Sequence, residues 1–135
     1  MSGHCLSAVT FRTNVLSAAI GAVEVKTIGD GFLATFDATS RALHCAADIL
    51  AAAKDIGLTL RAGVHTGEVE ERGDDIAGLA VTIAKRVCDL AGPGQVLVTR
   101  TVTDLVMGSG INFEEGGDRE LKGLPGVWRL FGFVS

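Results

Sequence analysis

Apolar residues recur at helical spacing in several stretches of this chain, and glycine-rich turns separate these stretches from short segments with strand-like patterns. Spacings of three and four residues predict helices over residues 11–22, 38–55, 78–91 and 101–107. Alternation and short apolar runs predict strands over residues 23–28, 32–36, 58–65, 95–99, 111–115 and 127–134. Residues 66–74 are polar and are expected to form turns. Helices that alternate with hairpin-linked strands indicate an α/β fold in which helices cover one sheet.

Two of the predicted helices have recognisable ends and apolar faces. Asp37 is expected to cap the helix over residues 38–55, and Gly57 to end it. The inner face of this helix is expected to comprise Leu43, Ala46, Ala47, Leu50 and Ala53. The apolar arc of the helix over residues 78–91 is expected to comprise Leu79, Ile83, Val87 and Leu90.

Composition narrows the class of protein. The 135 residues fit one domain, and 47% of them are apolar, which is enough for a core. The net charge of −4 and the scattered basic residues argue against nucleic-acid binding, which needs clustered Lys and Arg. No apolar run could span a membrane, and no signal peptide is expected. Three widely spaced cysteines, Cys5, Cys45 and Cys88, are typical of a reducing cytosol, so we expect a cytoplasmic protein.

Two segments contain residues that could carry chemistry. Lys26 precedes a glycine hairpin with Asp30 at its tip, from which a carboxylate can reach a cation. In the second segment, Thr82 and Arg86 lie one helical turn apart, and Asp75 precedes the helix, whose dipole favours a carboxylate there. Taken alone, each segment is better explained by ordinary structure: a turn aspartate in the first, and a solvated helix face with a capping acid in the second.

Taken together, the segments are far more specific. Lys-Thr-Ile-Gly-Asp-Gly, Arg-Ala-Gly-Val-His-Thr-Gly and Asp-Ile-x-Gly-x-x-Val-x-x-Ala-x-Arg, at residues 26–31, 61–67 and 75–86, resemble the class III adenylyl and guanylyl cyclase catalytic domain. The resemblance runs from about Val23 to the C-terminus and includes residues 93–98 and 121–123. The pattern is similar to that of small bacterial, actinobacterial-like cyclases.

The resemblance implies a ferredoxin-like cyclase sheet covered by helices, in chains that pair head to tail with active sites between them. It also implies conversion of ATP into cyclic AMP and pyrophosphate, assisted by two Mg²⁺ or Mn²⁺ ions that two aspartates of one chain hold. Asp30 would be the second of these metal ligands. The partners implied are ATP and a second cyclase domain, in a homodimer or a heterodimer.

The other chain would supply the residues that contact the base and the phosphates. Lys26 would accompany adenine N1 and Asp75 would accept from the exocyclic amine, which predicts ATP rather than GTP. Arg86 would face the α-phosphate, where a fixed guanidinium suits developing charge. Lys122 would contact the terminal phosphates. Thr82 stands where the family usually has asparagine, and its hydroxyl donates over a shorter reach.

The sequence departs from the family pattern near its start. The family carries its first metal aspartate on an opening strand well before the Lys-Thr-x-Gly-Asp segment, whereas no residue before Glu24 is acidic here. We therefore expect residues 1–22 to be an atypical N-terminal remnant and residues 23–135 to be the cyclase domain. The opening strand is expected to be missing or replaced, with residues 6–11 a poor substitute because they alternate weakly. His65 has no role in the pattern and is predicted to be structural.

Three functions remain open at this point. The chain is expected to be a weak or conditional adenylate cyclase-type domain that the missing aspartate impairs, or else a full cyclase whose start is wrongly assigned. Alternatively, it is a non-catalytic nucleotide-binding or dimerisation partner of a complete cyclase. The third reading is a decayed remnant that scarcely folds.

Overall fold

The computed structural model describes residues 2–12, 24–28, 31–72 and 75–134, and the side chains of residues 31, 33–68 and 78–134. The strands are β1 Ser2–Arg12, β2 Glu24–Ile28, β3 Gly31–Phe36, β4 Arg61–Arg72, β5 Asp75–Ala77, β6 Val96–Thr99, β7 Phe113–Arg119 and β8 Trp128–Phe133. The helices are α1 Thr39–Asp55, α2 Leu79–Leu90 and α3 Arg100–Leu105. Within these ranges no helix is both long and apolar enough to cross a membrane.

All the described strands belong to one sheet, with the order β2-β3-β1-β4-β6-β8-β7 and with β5 paired to β4. β1 lies in the interior of this sheet and pairs antiparallel with both β3 and β4. β4 and β6 are parallel, because α2 connects them by crossing one face of the sheet. The predicted mixed fold, a cyclase-type sheet covered by helices, is confirmed.

Helices cover both faces of the sheet, and each face has its own core. On one face, α1 and α3 pack over β3, β4 and β6 through residues that include Phe36, Leu43, Val64 and Val102. On the other face, Ile83 and Val87 of α2 pack with residues Leu97, Leu121 and Leu130. A candidate site on α2 is therefore separated from α1 by the thickness of the sheet.

α2 lies unusually close to β4. A Cβ atom at Gly63 would lie 2.3 Å from the backbone nitrogen of Cys88 and 2.5 Å from the carbonyl oxygen of Ala84. A Cβ atom at Gly67 would lie 3.1 Å from that of Ala80. Gly63 and Gly67 lie on the same face of β4, opposite the small residues Ala80, Ala84 and Cys88, which are spaced one helical turn apart on α2. Because neither side has a bulky side chain, the backbones of helix and strand can approach each other closely.

In the N-terminal region the structure confirms a replaced opening strand and corrects the predicted helix. β1 occupies an interior position in the sheet, where the sequence predicted that the family's opening strand would be missing or replaced. It includes residues 6–11, the weakly alternating segment that the sequence offered as a substitute. The predicted helix over residues 11–22 is wrong at Phe11 and Arg12, which end β1, and residues 13–22 lie outside the described residues. Pairing with two neighbouring strands outweighs the local helical spacing at those two residues. The division of the chain at residues 22 and 23 stays a prediction.

Two further expectations are wrong. The polar residues 66–72 continue β4 instead of forming turns, because they pair with β1 and, near Arg72, with β5. Asp37 does not cap α1: the N-cap residue is Ala38, which makes no side-chain cap. The carboxylate of Asp37 instead accepts a hydrogen bond from Arg41. The other predicted helices and strands are present with bounds shifted by a few residues, and Ala47 is half-buried where full burial was expected.

We predict that Gly63→Ala strongly destabilises the fold, because the added methyl group must push backbone away from backbone. The free energy of unfolding, measured by urea denaturation, should fall by about 3 kcal/mol or more. Gly92→Ala is the control, since its Cβ would meet nothing closer than Gln95 Oε1 at 3.6 Å. The control should change stability by less than about 1 kcal/mol, and equal losses in the two variants would contradict the close packing of α2 on β4.

Candidate functional site

The packing of α2 decides which of its side chains reach solvent. The buried stripe consists of the residues Ala80, Ile83, Ala84, Val87 and Cys88. The predicted apolar arc is therefore right for Ile83 and Val87 and wrong for Leu79, which is 62% exposed. The arc is rotated because contact with the glycines of β4 requires small residues on the buried side. Thr82 is exposed and Arg86 half-buried on the opposite side, one turn or roughly 6 Å apart along the helix.

The guanidinium group of Arg86 has a partner on its own helix for only some of its N–H groups. Its Nη1 lies 3.7 Å from Oδ2 of Asp89, an ion pair between residues three apart on a partly exposed surface. Its Nε is buried and has no hydrogen-bond partner among the described residues. An N–H group buried without a partner is costly, so an oxyanion beside α2 would be bound partly by relieving that cost.

The loop that carries Lys122 is fixed beside α2. Leu121 is 2% exposed and belongs to the same core cluster as Ile83 and Val87. Lys122 is exposed, and Gly123 turns the chain with a φ of +81°, a conformation that favours glycine. The structure therefore places Thr82, Arg86 and the Lys122 loop on the α2 side of the sheet.

The two predicted base-contacting residues are not brought together within one chain. Lys26 lies on β2, an edge strand, level with Thr10 of β1 through the intervening strand β3. Asp75 lies on β5, whose pairing with β4 places it just beyond Ser2 at the other end of β1. The strand between Thr10 and Ser2 spans roughly 26 Å. At that separation one purine could contact Lys26 of one chain and Asp75 of a second chain, but not both residues of the same chain, which differs from the arrangement that the resemblance implies.

Asp30 and the end of β1 define where a metal site would have to form. Asp30 itself lies outside the described residues, but the strands on either side of it form a hairpin in which Ile28 pairs with Gly31. Gly31 also pairs with Arg12, so the hairpin and the C-terminal end of β1 lie at the same edge. β1 contains no aspartate or glutamate. In the part of the chain that the structure describes, no three His, Cys, Asp or Glu side chains form a group that could hold a metal ion.

His65 is a buried titratable residue of β4 beneath α2. It is 7% exposed, its Nδ1 lies 2.7 Å from Oγ1 of Thr99, and its ring meets the edge of Trp128 at a centroid distance of 6.2 Å. Burial lowers the pKa of His65 from its ordinary value of 6.5 to about 4, so the ring is neutral near pH 7. His65 links β4 to β6 and β8 beneath α2, which agrees with the structural role that the sequence predicts.

Comparison with known families gives one match that covers nearly the whole chain. The family described as "Adenylate and Guanylate cyclase catalytic domain" matches residues 5–133. Among curated relatives, "Putative adenylate cyclase 3" of Rhizobium meliloti is 33% identical over 73% of this chain and 18% of its own length. The "pH-sensitive adenylate cyclase MT1302" of Mycobacterium tuberculosis is 40% identical over 53% of this chain and 19% of its own length. The chain thus spans less than a fifth of the length of these two relatives.

A solved structure supports the fold. An adenylate/guanylate cyclase/hydrolase from Silicibacter pomeroyi superposes with a TM-score of 0.82 at 21% identity, over 99% of this chain and 98% of the other. At this level of identity the likeness concerns the fold. It agrees with the sheet order and helix placement described above.

We predict that His65 makes stability depend on pH. Between about pH 6.5 and pH 4 the unfolded chain binds a proton at this residue and the folded chain does not, so the free energy of unfolding falls as the pH decreases. The loss should reach up to about 3 kcal/mol at pH 4. Urea denaturation at several pH values should show a flatter dependence for His65→Gln than for the unmodified chain. His44→Gln, at an exposed position on α1, is the control and should keep the original slope; identical slopes for both variants would contradict the assignment.

Proposed function

This chain belongs to the adenylate and guanylate cyclase catalytic domain family, and we propose that it is an adenylate cyclase-type domain that turns over ATP only weakly by itself. The observation that carries the proposal is a division within the site. Thr82 and Arg86, which we propose to face the phosphates, lie on the outward side of α2, while β1 has no carboxylate at the end beside the hairpin between β2 and β3. ATP as the substrate is supported by the relatives named as adenylate cyclases.

The proposed reaction is an internal phosphoryl transfer. The ribose 3′-hydroxyl gives up its proton to solvent as its oxygen attacks the α-phosphorus, the bond from that phosphorus to the bridging oxygen breaks, and cyclic AMP and pyrophosphate result. The guanidinium of Arg86 stabilises the charge on the α-phosphate, and the hydroxyl of Thr82, one turn away, donates a second hydrogen bond. Lys122 binds the terminal phosphates. Lys26 of one chain and Asp75 of the other contact adenine, because the separation of these residues along β1 is too large for one base to reach both within a single chain.

The divalent metal ions that class III cyclase domains generally use do not fit the residues of this chain. A two-ion site needs carboxylates from both the hairpin and the neighbouring strand, whereas the sequence before β3 has only Glu24, in β2, and Asp30, between β2 and β3, and β1 has no acid. A single carboxylate holds Mg²⁺ or Mn²⁺ weakly, and loss of a ligand lowers affinity or rate by orders of magnitude. We therefore assign no step to a metal ion held by this chain alone, and propose that its activity is impaired.

The same division favours a second function, as the partner of a complete cyclase. Family members act as dimers, so a partner with both metal aspartates could face Thr82 and Arg86 of this chain across the interface. That composite site would be complete, whereas the reciprocal site would lack its metal ligand. We place either function in the cytoplasm, where ATP is available and thiols such as that of Cys88 stay reduced.

The chain alone should make little cyclic AMP. With Mn²⁺ and ATP, product formation should lie about 10²-fold or more below that of an intact family member, and Arg86→Ala should lower any remaining activity about 10²-fold further. Arg100→Ala removes an exposed arginine from α3, on the other face of the sheet, and should leave the rate unchanged. A rate equal to that of an intact cyclase would overturn the proposed impairment.

Mixing should rescue activity if the chain is a partner. The test protein is a class III adenylate cyclase domain that keeps both metal aspartates but has alanine in place of its own α2 arginine. Adding this chain should raise cyclic AMP production at least about 10-fold, because Arg86 then supplies the missing guanidinium. The Arg86→Ala chain should not rescue, whereas Arg100→Ala should. Gel filtration of each mixture checks that the two proteins associate; association without rescue would leave the partner function unsupported.

A further inference from the structure

A cleft of about 540 Å³ opens on the α1 face of the sheet, opposite the face that carries Thr82 and Arg86. One wall is the C-terminal half of α1, and the other is formed by residues 58–60, the Pro93–Gly94 turn and the end of β8. Its volume lies within the range of small-molecule sites, roughly 300–1,000 Å³. Nothing in the proposed cyclase reaction uses this cleft.

The walls of the cleft are apolar, with Leu50, Leu58 and Phe133 among the lining residues. Lys54 is the charged residue among those that line it, and Thr59 contributes a hydroxyl group. Neither side chain makes an ion pair or hydrogen bond with the described residues. The cleft thus combines mostly apolar side chains with one positive charge that has no ion-pair partner among the described residues.

The ammonium group of Lys54 is not needed to satisfy the carbonyl groups at the C-terminal end of α1. The carbonyl oxygen of Ala53 accepts hydrogen bonds from the backbone N–H groups of Ile56 and Leu58, and that of Lys54 accepts from Gly57. Because these carbonyls are bonded within the chain, the ammonium group of Lys54 is not needed to cap them. It remains available to an anion at the mouth of the cleft.

We propose that this cleft binds a small amphipathic carboxylate, such as a medium-chain fatty acid. The hydrocarbon part lies between α1 and the sheet, and the carboxylate lies against the Lys54 ammonium with the Thr59 hydroxyl as a second donor. Apolar walls exclude a bare phosphate or a nucleotide triphosphate, whose charge would be desolvated there without enough partners. A neutral hydrocarbon would leave the charge of Lys54 unused.

Decanoate and decanol are the probes, titrated into the ¹⁵N-labelled full chain and followed by nuclear magnetic resonance. Decanoate should shift the amide resonances of residues 50–60 and 133–134 and leave those of α2 unchanged. Lys54→Met keeps most of the side-chain length but removes the charge, and it should weaken decanoate binding about fivefold while leaving decanol binding within about twofold. Lys85→Met, on the other face of the sheet, is the matched control and should bind both probes like the unmodified chain.

A second variant tests the cleft rather than the charge. Ala51 is an exposed lining residue of α1, so Ala51→Trp should fill the cleft, keep the fold and abolish the shifts caused by both probes. Equal weakening of decanoate and decanol by Lys54→Met would overturn the carboxylate assignment. Absence of shifts in the unmodified chain, or shifts that depend on protein concentration instead of decanoate, would overturn the proposal, the latter by showing that a second copy covers the cleft. Loss of cyclase activity in any preparation has no bearing on these outcomes.

Discussion

The contact between the backbones of α2 and β4 is the constraint on which the candidate site depends. Gly63 admits the backbone of Cys88 and Ala84 to distances that a Cβ atom would forbid, and this fixes both the depth and the rotation of the helix. The rotation leaves Thr82 and Arg86 on the outward side and sets Ile83 and Val87 against the cluster that anchors the Lys122 loop. Glycines in one strand thus determine where a phosphate could meet a guanidinium and a hydroxyl.

The buried polar residues beneath α2 serve the same packing. His65 of β4 and Thr99 of β6 form a hydrogen bond with each other, and Trp128 of β8 makes a T-shaped contact with the imidazole ring. A neutral histidine in this position holds three strands together without placing a charge in the core. The partly unsatisfied Arg86, by contrast, stands at the edge of that core, where a bound oxyanion could pair with it. The hydrogen-bonded polar pair thus lies on the sheet beneath α2, whereas the partly unsatisfied guanidinium lies on the outward side of the helix.

The sequence predicted most of the fold because each helix carries its own spacing and each hairpin its own turn residues. The failures have a common cause in long-range pairing. Residues 66–72 are polar and resemble a loop, yet they extend β4 because β1 and β5 lie alongside. The rotation of α2 was not predicted because a helical pattern assigns leucine to the buried face. Here the glycines of β4 bring the backbone of the strand so close that alanine fits on that face and leucine does not. The motif could name Thr82, Arg86 and Lys122, but their common placement depends on packing that no local pattern contains.

Fold and catalysis place separate demands on this chain. β1 pairs with both neighbouring strands through its backbone, and that pairing needs no carboxylate at the strand end. A carboxylate held near another for a metal ion repels it when the ion is absent, so its loss removes an electrostatic cost from the folded chain. The glycines of β4 and the arginine of α2 are therefore compatible with this fold whether or not β1 carries a carboxylate. A well-formed sheet is thus no evidence of turnover here, and the distribution of charge around the Asp30 hairpin is the better guide to what the domain does.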